Sequence, residues 1–80
     1  MEDQAIIDRI DTLAREEHAL FALESDGKAT INDQDRLKQL QLMLDQCWDL
    51  LRQRRAKREF GLDPDEAHMR DEKTVQGYSS

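Results

Sequence analysis

Arg52, Arg54, Arg55, Lys57 and Arg58 place five positive charges within seven residues, with no acid among them. Clustered guanidinium groups on a helix can track a phosphate backbone and release its counterions, so RNA or DNA is one candidate ligand and an acidic protein surface is another. The same residues can be structural, because cations near a helix C-terminus complement its dipole and acids elsewhere in the chain can fold against them. The surrounding charge favours the structural role. With 18 Asp plus Glu against 12 Lys plus Arg the chain is net −6, so everything outside the cluster is net −11, a field that opposes a polyanion.

The other chemically capable side chains are scattered. Trp48 and Phe21 are large enough to anchor a partner, since tryptophan is enriched among interface hot spots, and equally able to pack at home. Cys47 falls in an apolar helical pattern where a small inert hydrophobe is expected rather than a thiolate. A single cysteine makes no internal disulfide, and His18 and His68, fifty residues apart, belong to no zinc spacing. Glu17 is a lone acid in an apolar stripe, where a polar residue more often fixes register or oligomeric state than performs catalysis. No nucleophile and base pair, Gly-rich phosphate loop or metal motif is present, so catalytic residues, cofactors and metals are not expected. The stretch Ile7 to Asp11 faintly resembles the first helix of small helical chorismate mutases. It lacks their converging basic residues and breaks by Ser25, so that activity is rejected.

The elements that would carry these residues are helices. Asp3, Ile6, Ile10, Leu13, Glu17, Leu20 and Glu24 follow a strict 3,4 spacing, and Leu37, Leu40, Leu44, Cys47, Leu51, Arg54 and Arg58 repeat it. Between them, Ser25 to Asp33 holds Ser-Asp-Gly and two alternative N-caps, Thr30 and Asn32, each followed three residues later by an acid. An antiparallel register pairs seam positions whose numbers sum to 57. It sets Ile6 against Leu51, Ile10 against Cys47, Leu13 against Leu44 and Leu20 against Leu37, with Glu17 opposite Leu40 and Asp3 opposite Arg54. The expected fold is therefore all-α: a coiled-coil-like hairpin with helices over about 3–24 and 32–59 and a turn over about 25–31.

One seam cannot cover the apolar residues that flank it. Ile7, Ala14, Phe21 and Trp48 lie on one side, and Leu23, Met43 and Leu50 on the other. A hairpin this small rarely gains more than about 3–5 kcal/mol from its own core. A second copy, forming a four-helix bundle, is the expected cover, with a different protein or the chain's own tail as competitors. That tail, 60–80, starts after a helix stop at Phe60-Gly61. Asp63, Pro64 and Glu66 then supply an N-cap, a first-turn proline and a capping acid, predicting a short helix over about 64–70, with loose or partner-dependent chain beyond Asp71. No apolar run approaches the roughly 20 residues of a membrane span, and an acid-rich start does not resemble a signal peptide, so a cytoplasmic location and no membrane partner are expected.

From Asp45 to Ala67 the run DQCWDLLRQRRAKREFGLDPDEA, with the later Val75, Gly77 and Tyr78, strongly resembles an actinobacterial family of short proteins known as domain of unknown function 2630. The similarity is closest over Leu44 to Ala67 and weaker over the first helix. The family has no assigned activity, so the resemblance transfers no catalytic residue. What the residues themselves support is a non-enzymatic, homodimeric interaction or regulatory module. Its candidate partner-binding side chains are Phe21, Trp48, Arg52, Arg54, Arg55 and Arg58, and a nucleic-acid phosphate binder is the alternative.

Overall fold

A computed structural model describes residues 2–71 and shows two helices, α1 (Asp3–Ser25) and α2 (Ile31–Glu59), followed by a 3-10 turn, Pro64–Glu66. The described residues contain no strand. The helices pack antiparallel as a hairpin within an envelope of 49 × 24 × 16 Å. The core is the seam: Ile6, Ile10, Leu13, Leu40, Leu44, Cys47 and Leu51, joined from one side by Leu50. Ile6 and Leu40 are fully enclosed.

Local chemistry fixes the ends. Thr30, rather than Asn32, caps α2: its hydroxyl accepts from the Asp33 amide at 3.1 Å while the Asp33 carboxylate accepts from the Thr30 amide at 2.9 Å, a reciprocal box. Both helices stop in the same way. Gly27 and Gly61 each adopt φ of 70°, and the amides that follow, of Lys28 and Leu62, reach back to the carbonyls of Leu23 and Lys57. A side chain would strain that left-handed conformation, which explains a glycine at both exits.

Two ion pairs hold the register from opposite ends of the seam. Arg54 Nε donates to Asp3 Oδ1 at 2.5 Å, the layer expected from the antiparallel arithmetic. Nearer the turn, Arg36 donates through two nitrogens to the Glu16 carboxylate. The acid that crosses between helices is thus Glu16, beside the seam. Glu17 remains half-buried, with no ion pair among the described residues.

The expected third helix over 64–70 is a single 3-10 turn followed by extended chain. Asp63 caps it as expected, accepting from the Asp65 amide at 2.9 Å. In that turn and past it, carbonyls of the segment face side chains of α2. Arg54 Nη1 donates to the Pro64 carbonyl at 3.2 Å, Gln53 to that of His68 at 2.7 Å and Gln46 to that of Arg70 at 3.2 Å. The segment therefore lies along α2 as a strap, with Ala67 against the core. It runs beside Leu50, now only 6% exposed, and so supplies the cover that a second copy was expected to give that side. The reading of the chain beyond Asp71 falls outside the described residues.

The hairpin consequently has two unlike faces. The strapped face carries the buried Leu50 and the half-buried Met43, with Leu23 still exposed toward the turn. The bare face carries Ile7, Phe21 and Trp48, 41%, 42% and 43% exposed, with Ala14 half-buried between them.

Candidate functional site

The Arg cluster sits on the last three turns of α2, where strap, α2 and the start of α1 meet. Arg54 is the centre of this junction and is only 6% exposed. Besides Asp3 it reaches Asp65 Oδ1 at 2.9 Å and the Pro64 carbonyl, so one guanidinium ties three segments together. Its planar fork makes this possible, because five N–H donors point in fixed directions. Arg58 pairs with the other oxygen of Asp3, and Lys57 lies 3.7 Å from Glu66. The Asp3 carboxyl is held down to a pKa of about 2 by its hydrogen bonds to Arg58 and Arg54. Arg54 is pushed up in turn by its bonds to Asp3 and Asp65.

Three of the five cations are therefore engaged inside the molecule. Arg52 and Arg55 are different: both are exposed and neither forms an ion pair among the described residues. With Trp48 they make a stripe at i, i+4 and i+7 on α2, leading from the basic end onto the bare face. Further along that face, Phe21, Glu24, Gln34, Leu37, Lys38 and Gln41 surround an open groove of about 460 Å³. The six candidate residues thus separate into two groups. Arg54 and Arg58 belong to the junction, while Phe21, Trp48, Arg52 and Arg55 line or border the bare face.

The residues that sequence reasoning did not single out are those that hold the strap. Gln46 and Gln53 lie seven apart on α2, on either side of the pair Asp49-Leu50. Asp49 is 4% exposed; it accepts from Gln53 at 2.9 Å and lies 3.4 Å from Arg70 Nε. Polar side chains spaced by two turns beside a leucine were the available signal. Every buried side-chain nitrogen and oxygen among the described residues has a partner, as a stable polar junction requires.

The Cys47 thiol is almost wholly enclosed and burial pushes its pKa up, with the nearby Arg9 pulling the other way, which is the reverse of what a thiolate nucleophile needs. No group of three or more His, Cys, Asp or Glu among the described residues could hold a metal ion. No described helix is long and apolar enough to cross a membrane.

Comparison with known proteins places the chain as a whole. The family described as protein of unknown function (DUF2630) matches residues 2–80, essentially its full length. The chain belongs to that family. Among its relatives are the uncharacterized proteins Rv0898c of Mycobacterium tuberculosis and Mb0922c of Mycobacterium bovis. Each is 45% identical over 78 residues, covering 96% of this chain and 90% of the relative. No solved structure shows a significant match. Membership of DUF2630 brings no assigned activity with it.

Proposed function

We propose that this DUF2630 member works by binding, as a non-enzymatic protein interaction module that self-associates through its bare face. The observation that carries this is the exposure of Ile7, Phe21 and Trp48 together on a face with no second layer, beside two arginines that no described acid neutralises. Apolar side chains exposed in a group, with Trp and Arg among them, have the composition of an interface core and its edge. The face also has the required size. An envelope of 49 × 24 Å accommodates the roughly 800 Å² per partner of a standard interface.

The nucleic-acid alternative is supported less well, because Arg54, Lys57 and Arg58 are already paired with acids and the remaining surface is acidic. Light scattering over a wide concentration range tests the proposal. The expected result is a mass that rises to twice the chain's, and that stays at one chain in Trp48→Ala with helicity unchanged. A single-chain mass at every concentration would sink self-association. Oligonucleotide binding that weakens steeply with salt and disappears in Arg52→Glu/Arg55→Glu would move the function to phosphate recognition.

A further inference from the structure

Resting on that reading, the geometry points to one particular dimer: two copies stacked bare face to bare face about a two-fold axis that crosses the helices near Ala14, with Trp48 of each seated in the groove between Phe21 and Leu37 of the other. A closed pair of identical slabs has only two simple solutions, an axis running along the helices or one running across them. They bring different residues together, and the chain's own charges choose between them.

The antiparallel register sets each α1 residue level with the α2 residue that completes the sum of 57, so Asp11 is level with Gln46 and His18 with Gln39. With a lengthwise axis, each α1 lies on the partner's α2 at the same level. Asp11 then meets the partner's Asp45, and His18 meets the partner's Lys38. Two acids face each other on this rim, and Trp48 stays far from the groove.

With a crosswise axis, each α2 lies on the partner's α2, reversed end to end. Trp48 and Leu37 are about 16 Å apart along α2 at 1.5 Å per residue. A two-fold midway, level with Ala14, brings Trp48 onto the partner's groove, which is large enough to take an indole. The same operation sets Ile7 near the partner's Phe21, Lys38 near the partner's Asp45 and Asp11 near the partner's His18. Lys38 and Asp45 form no ion pair among the described residues and are free to make this one, whereas Asp11 is already bonded to Arg15 on its own helix and contributes less. Arg52 comes toward the partner's acidic turn end, near Glu24 and Asp33. At the axis the small side chain of Ala14 lets the two α1 helices approach.

One substitution reads the two arrangements with opposite sign. Asp45→Lys, on an exposed position, brings two lysines together across the crosswise dimer. The expected outcome in sedimentation equilibrium at low salt is a dimer weakened by roughly three- to tenfold, with Lys38→Asp on the same chain restoring it. In the lengthwise dimer the new lysine would face the partner's Asp11. A dimer tightened or unchanged by Asp45→Lys therefore overturns the crosswise arrangement while leaving self-association intact. A wild-type chain that stays monomeric at all concentrations overturns the reading beneath it. Circular dichroism of each variant confirms that the hairpin is folded.

Discussion

The strapped face and the bare face start from the same seam, yet they treat flanking apolar residues in different ways. On the strapped face, Leu50 is closed off by a segment with little apolar content. Side chains of α2 hold that segment by its backbone carbonyls, with ion pairs at Asp65, Glu66 and Arg70, and among its described residues Ala67 packs against the core. On the bare face, Ile7, Phe21 and Trp48 have no segment laid over them and remain about two-fifths exposed. The difference shows that cover need not be apolar. A chain can be laid over a leucine by hydrogen bonds to its main chain, whereas the bare face, with no segment laid over it, leaves its apolar side chains to be closed by complementary shape.

The comparison breaks altogether if the shared seam is removed. Leu40→Ala leaves a void where a fully enclosed side chain stood and is expected to cost about 2–5 kcal/mol, enough to unfold much of so small a domain. Urea titration followed by circular dichroism measures it. The next largest effect separates the faces. Arg54→Ala removes the junction and leaves Asp3 and Asp65 without their shared partner, so the melting midpoint should fall by on the order of 10 °C. Hydrogen exchange should then rise along 63–70 and at Leu50, with little change near Phe21.

Acid should act on the same end. The Asp3 carboxyl is lowered to about 2, so its contribution to stability is complete above the ordinary value of 3.8 and is lost as pH falls through the window between 3.8 and about 2. Melting midpoints should drop across that window, and Asp3→Asn should flatten the drop at the cost of lower stability at neutral pH. Glu16, lowered by its bond to Arg36, adds to the same acid-side loss at the opposite end. The smallest effect is expected of Gln53→Ala. It removes the bonds to Asp49 and to the His68 carbonyl, costing about 0.5–1.5 kcal/mol and loosening the strap without touching dimer mass.

The hairpin was legible because its information is periodic and local. The 3,4 spacing defined both helices, Thr30 and Asp33 marked a cap, the glycines marked the exits, and the seam arithmetic paired Asp3 with Arg54. Glu17 was given weight because it lies on the seam, yet the cross-helix bond belongs to Glu16, whose place at the seam's edge brings it to Arg36. The strap was legible only as a possible cover. Its path is specified by Gln46, Gln53 and Arg54 acting on main-chain carbonyls, and a carbonyl has no letter in a sequence. The helix suggested by Asp63, Pro64 and Glu66 ends after one turn, and the chain beyond it follows α2. Of the candidate surface residues, the 3,4 spacing already set Arg54 and Arg58 on the seam and left Arg52 and Arg55 outside it; what it did not show is that Arg54 also holds the strap, through Asp65 and the Pro64 carbonyl.

The junction at Arg54 also orders events in time. It binds a residue near the start of the chain and another, Asp65, that is synthesised eleven residues after Arg54 itself. At translation rates of about 5–20 residues per second, the nascent hairpin therefore spends roughly a second with this guanidinium able to meet Asp3 but not yet Asp65. Fastening by the strap comes late in the protein's birth, and until then Leu50 is open to whatever else is close at hand.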